Sequence, residues 1–163
     1  MSSSAPVDES LITAQGYELL RAELERLQTD GRRDVGARLL DARHDGPLGD
    51  NPALAAVLEE QEQLETRIAA LEAQLAVARV ARPTRDGSAG VGSSVRVRHL
   101  HNDEVAEYEL VGVSDPGIGD GRVSVAAPVG RALAGRRAGA RIEVSVPRGL
   151  LALEILSVQQ AAA

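Results

Sequence analysis

The chain has 163 residues and a formal net charge of -6, from 24 acidic and 18 basic residues, and every basic residue is an arginine. That balance argues against a nucleic-acid coat or a polybasic membrane binder. With no cysteine, disulfides, thiolate zinc sites and cysteine nucleophiles are excluded, and two tyrosines with no tryptophan or phenylalanine argue against a large aromatic base-stacking platform.

Charge and periodicity change near residue 80. Residues 1–80 hold 15 acids and 8 arginines; residues 81–163 hold 9 acids and 10 arginines. Residues 1–10 are polar and predict a disordered N-terminus. No stretch is long and apolar enough to span a membrane or serve as a signal segment, which predicts a cytoplasmic protein. Thr13 suits a helix cap. Tyr17, Leu20, Leu24 and Leu27 recur at helical spacing, and Val35 with Leu39 or Leu40 continues the face. Gly31 and Gly36 weaken this helix by about 1 kcal/mol each relative to alanine.

A second stripe is more regular. Leu54, Val57, Gln61, Leu64, Ile68, Leu71, Leu75 and Ala78 alternate steps of three and four, a heptad seam with one polar position. Asn51-Pro52 supplies a cap and a first helical proline. Glu59, Glu60, Glu62 and Glu65 fall mainly off the seam, on a solvated face. Asp45-Gly46-Pro47-Leu48-Gly49-Asp50 breaks the helix between the stripes. Residues 11–43 and 51–79 therefore predict two antiparallel helices, about 50 Å and 44 Å long at 1.5 Å per residue, within a hairpin 11–79 whose tip is 44–51.

Residues 80–92, rich in Pro, Gly and Ser, predict a linker. Beyond it, residues 94–100 and 105–113 predict a strand pair, 115–120 a loop, 122–126 a short strand and 128–134 one or two helical turns. The last strand pair, 139–146 and 150–158, turns through Pro147-Arg148-Gly149. The fold class is α+β: a helical hairpin, a small, mainly antiparallel sheet domain over 93–158, and a tail 159–163.

The order of these parts resembles the Gre family of bacterial transcript-cleavage and elongation factors. The resemblance is carried by Leu11-Ile12-Thr13-Ala14-Gln15-Gly16-Tyr17 with the leucine-rich helix after it, by the tip Ala42 to Asn51 followed by Glu59-Glu60-Gln61, and by Ser124 to Gly135 with Gly139 and Pro147-Arg148-Gly149. It implies a coiled-coil hairpin joined to an FKBP-like domain. It also implies docking on bacterial RNA polymerase, with the tip in the secondary channel. In cleavage-competent members the tip resembles Gly-Asp-Leu-x-Glu-Asn, whose two acids help hold a second magnesium and a water beside backtracked RNA. Gly46, Leu48 and Asn51 match that pattern, and Asp50 stands for the glutamate on a shorter stem. Pro47 falls where the aspartate is expected, and proline has no metal-binding side-chain oxygen.

The resemblance thus implies a regulator of elongation or initiation, monomeric when free and not itself an enzyme, without efficient transcript cleavage. Asp50 is the candidate ligand to a magnesium shared with the polymerase, and Asp45 is the second tip candidate. Contact with backtracked RNA or DNA is implied for the complex. Two other readings stay open: an active cleavage factor using Asp50 with Asp45, and a coiled-coil adaptor with no polymerase role. In the bland reading, Asp45 ends one helix and Asp50 precedes the next as a turn residue. Arg32, Arg33, Arg38 and Arg43 approach the tip but share no strict face. Arg131, Arg136, Arg137, Arg141 and Arg148 suit a solvated surface or an acidic partner. His99 and His101 lack a third metal ligand, and Tyr108 alone cannot line a prolyl-isomerase pocket.

Overall fold

The computed structural model describes residues 6–161. The predicted disorder at residues 1–5 and the last two tail residues lie outside this range. The chain divides into two compact units: Glu18–Val77, and the residues up to Tyr17 together with those from Ala78 onward. No helix among the described residues is long and apolar enough to cross a membrane.

The first unit is the hairpin. Helix α1 (Ala14–Arg26) runs through a π-helical turn at Leu27–Gly31 into α2 (Arg32–Arg43), and α3 (Pro52–Val77) returns. The seam residues Leu54, Val57, Ile68 and Leu71 are buried, and Leu54 and Val57 form one apolar cluster with Val35 and Ala42 of the other arm. Leu39 packs on this core, whereas Leu40 is 62 % exposed. The polar seam position, Gln61, is exposed. Gly31 sits under Leu64, where a Cβ would come within 3.1 Å of Leu64 Cδ1. This close approach coincides with the π turn, an irregularity that periodicity does not reveal.

Polar pairs rivet the two arms. Arg67 makes a two-pronged contact with Glu23 at 3.0 Å, and Arg32 makes one with Glu65 at 2.9 Å. Gln28 donates to Glu72 at 2.8 Å, and Arg38 pairs with Glu60. The antiparallel register brings these partners together, so Glu60 and Glu65 make cross-helix pairs while Glu59, Glu62 and Glu65 stay exposed on the solvated face. Hydrogen bonding from Arg32 holds the Glu65 carboxyl below its ordinary value.

In the second unit, the predicted helical starts give way to a short clasp. β1 (Leu11–Ile12) pairs in parallel with β2 (Arg79–Val80). Arg79 N donates to Ser10 O at 2.8 Å and Ala81 N to Ile12 O at 2.9 Å. The helices consequently begin at Ala14 and end at Val77, not at 11 and 79. Residues 6–10 are tied as well: Asp8 pairs with Arg79 and Val7 packs on the sheet core.

The sheet has the order β5-β4-β3-β7-β6, from β3 (Ser94–His99), β4 (Val105–Val111), β5 (Arg122–Ser124), β6 (Arg141–Val146) and β7 (Gly149–Gln159). All its pairs are antiparallel except β4 with β5. The loop 112–121, with left-handed Gly117, Gly119, Asp120 and Gly121, swings the chain round into that parallel pairing. Val95, Val97, Leu110, Leu153 and Ile155 pack one face of the sheet with Leu133 of α4 (Pro128–Leu133).

Residues 80–92 are not a free linker. Ala89 is 3 % exposed in the core, its N–H donates to Arg136 O at 2.7 Å and its carbonyl accepts Gly135 N–H at 2.8 Å. Thr84 N donates to Gln160 at 3.1 Å, so the domain also extends past residue 158. Hydrogen bonds from Ser88 and Arg137 hold the Asp86 carboxyl well below its ordinary range.

Two outcomes follow for the hairpin. Gly36 is half-buried with open space around a Cβ. Gly36→Ala is expected to raise unfolding stability by about 0.5–1 kcal/mol in a urea titration, through helix propensity. The Glu65 contribution is present above the ordinary glutamate pKa of about 4.3. It is lost as pH falls through the lower folded-state value, because the folded carboxyl is the stronger acid. Glu65→Gln is therefore expected to flatten the acid limb of melting temperature against pH.

Candidate functional site

The tip is built by closing a helix into a reversal. At the end of α2, His44 N donates to Asp41 O at 3.1 Å and Asp45 N to Ala42 O at 3.2 Å. Gly46 then takes a φ of +115°, which a side chain would disfavour. Pro47 follows in extended geometry, and Leu48–Asp50 forms one 3₁₀ turn, with Asp50 N donating to Pro47 O at 3.2 Å.

Asn51 closes the structure. It is 3 % exposed. Its Nδ2 donates to Ala42 O at 2.7 Å and to Gly46 O at 2.9 Å, while Oδ1 accepts Leu54 N–H at 2.9 Å. One side chain thus ties off α2, holds the turn and caps α3, whose first residue is Pro52. The sequence identified the cap but not the two donor bonds.

The candidate ligands Asp45 and Asp50 are both exposed. Neither carboxylate has a hydrogen-bond or ion-pair partner among the described residues. Leu48, between them, is 54 % exposed. Among the described residues there is no group of three or more His, Asp or Glu side chains able to hold a metal ion. An exposed carboxylate such as that of Asp50 is the donor type that could join a magnesium held mainly by other oxygens, because this ion commonly binds through one or two carboxylates with phosphates and waters.

The arginines near the tip are mostly committed. Arg32 and Arg38 hold Glu65 and Glu60, and Arg33 pairs with Asp30 at 2.9 Å. Arg43 is exposed and without a side-chain partner among the described residues. Elsewhere, Arg137 pairs with Asp86 at 2.9 Å and Arg141 with Glu154 at 3.3 Å. Arg131, Arg136 and Arg148 have no such partners among the described residues. The His99 and His101 rings meet edge-on with centroids 5.8 Å apart.

Sequence reasoning missed Asp115, placed only in a loop. Its side chain is fully buried. It accepts Thr13 N–H at 3.0 Å, the Thr13 hydroxyl at 2.5 Å and Gly112 N–H at 2.6 Å. Thr13 Oγ1 in turn accepts Gly16 N–H at 2.9 Å, the expected helix cap. A Cβ on Gly16 would lie 1.8 Å from Asp115 Oδ1. Thr13 and Gly16 thus have a common steric and hydrogen-bonding reason.

Comparison with known proteins matches residues 10–80 to the family model "Transcription elongation factor, N-terminal" and residues 84–160 to "Transcription elongation factor, GreA/GreB, C-term". The chain belongs to the GreA/GreB family. Transcription elongation factor GreA of Chlorobaculum parvum is 38 % identical over 154 residues, covering 93 % of this chain and 97 % of its own. The GreA of Neisseria meningitidis is 34 % identical over 151 residues, covering 91 % and 96 %. Among solved structures, GreA factor homolog 1 of Thermus thermophilus is 25 % identical and covers 93 % of this chain and 99 % of its own, with a TM-score of 0.40.

The Asp115 cluster yields a stability test. Asp115→Ala leaves two buried amides and a buried hydroxyl without their acceptor, at a cost of about 2–4 kcal/mol. Gly16→Ala is expected to destabilise too, by forcing the carboxylate aside. Urea unfolding midpoints measure both.

Proposed function

We propose that this elongation factor binds bacterial RNA polymerase, enters the secondary channel with its hairpin, and modulates elongation or initiation without efficient transcript cleavage. The observation that carries this reading is the tip: Pro47 stands at the position expected to hold an aspartate, while Asp50 remains exposed and unpartnered among the described residues. Binding surfaces distributed over the hairpin and the sheet domain do not depend on residue 47, so docking survives where hydrolysis fails.

A magnesium ion, when bound, stabilises the negative charge developing on phosphate oxygens and lowers the pKa of a bound water. This chain's contribution is positional. Asp50 offers carboxylate oxygens from a stem one methylene shorter than glutamate, and Pro47 offers none. Where two carboxylates would orient a water, this tip would supply one. A misplacement of about 1 Å costs roughly 100-fold in rate. The protein is accordingly a modulator rather than an enzyme, and the cytoplasm, where the polymerase works, is its proposed location. Among the described residues Arg43 is an exposed tip arginine with no side-chain partner, placed to meet backtracked RNA or DNA phosphates. The internal filling of the hairpin seam supports a monomer in the free state.

A second reading keeps a specific observation in its favour. Asp45 is exposed and unpartnered as well, so an active cleavage factor using Asp45 with Asp50 is the competing proposal. The adaptor reading is weaker, since the seam residues of α3 are covered by the other arm of the same hairpin.

A stalled, backtracked polymerase complex with magnesium separates these readings. The wild-type protein is expected to leave cleavage near the unassisted rate, and Pro47→Asp/Asp50→Glu to raise it. Strong wild-type cleavage that disappears in Asp50→Ala contradicts the proposal and supports the second reading.

A further inference from the structure

The two ends of the Asn51 amide do separable work. Oδ1 alone caps α3 through Leu54 N–H; Nδ2 alone bonds Ala42 O and Gly46 O. Ala42 O belongs to the last turn of α2 and also accepts Asp45 N–H. Gly46 O lies inside the reversal, at the residue whose left-handed backbone directs it. Asp50 is the sequence neighbour of Asn51, and Asp45 is the neighbour of Gly46.

We infer that Asn51 is a positioning residue. Its Nδ2 group ties α2 to the turn and thereby fixes where Asp45 and Asp50 present their carboxylates. This inference rests on the proposed action of the tip inside the polymerase. Asn51 is buried, so it acts through the turn rather than by contact with the polymerase. The bond to Ala42 O is buried and the bond to Gly46 O is partly buried, and no other side chain among the described residues bonds to either carbonyl.

Asn51→Asp divides the two functions. The new carboxylate keeps an acceptor for Leu54 N–H, and aspartate is as good a cap as asparagine. It has no Nδ2 donors, so an oxygen faces two carbonyl oxygens and pushes the turn open. Asn51→Ser is the second variant: its hydroxyl also caps and its short side chain lacks the forked donors.

The test uses the full chain and two readouts. In amide hydrogen exchange, Asp45 and Asp50 N–H are expected to exchange about fivefold faster in Asn51→Asp, the loss expected for about one net hydrogen bond. The Ala55 amide within α3 is expected to stay at its wild-type rate. In polymerase assays, affinity is expected to stay near wild type while the effect on elongation at saturation falls severalfold. Unchanged exchange at Asp45 and Asp50, or a full wild-type effect at saturation, overturns the positioning role. If Asn51→Asp does not fold, Asn51→Ser is judged by the same two readouts. If the wild type itself fails to bind polymerase, the proposed function fails, while the exchange result still decides whether Asn51 holds the tip.

Discussion

Reversing a chain between two long helices leaves carbonyls at the end of one and amides at the start of the next without helical partners. At this tip a single buried amide, that of Asn51, meets both needs. It accepts from Leu54 N–H and donates to Ala42 O and Gly46 O. The short turn, the left-handed Gly46 and the placement of the exposed residues around Leu48 all follow from closing the loop over that amide. The arms behind it are held by an apolar cluster and by Arg–Glu pairs in antiparallel register.

The chemistry available at that end is narrow. Two exposed aspartates flank Gly46-Pro47-Leu48-Gly49, and the residue between Gly46 and Leu48 has no side-chain oxygen. Gly46 and Gly49 alone would let the two carboxylates converge. Here Pro47 fixes one dihedral and Asn51 fixes the flanking carbonyls, which limits the freedom of Asp45 to stand in for a missing ligand. Under the proposed function, these features favour occupation of a partner's site over supply of a complete ligand pair.

Much of the hairpin was legible because burial of one face imposes a period on the sequence. Leu54, Val57, Ile68 and Leu71 lie at seam positions and are buried. The strand pairs near the C-terminus were legible for the corresponding reason, as Val95 and Val97 alternate with Arg96 and Arg98. The clasp of Leu11–Ile12 with Arg79–Val80 was not, since two-residue strands are too short to show a period. Nor was the partnership of Asp115 with Thr13, whose members are 102 residues apart and of which only the cap is local. The roles of Glu60 and Glu65 depended on helix register, which the spacing within one helix does not specify. At the tip, the residue types were legible through the family resemblance, but the second function of Asn51 needed the three-dimensional closure of the turn.

Competition on the polymerase tests the central claim most directly. A backtracked complex undergoing cleavage stimulated by an active Gre factor is titrated with this protein, and the rate of RNA shortening is followed. The account predicts a saturable fall toward the unassisted rate, as one tip replaces the other in the same channel. A cleavage rate that stays constant, or rises further, at saturating concentrations would contradict it.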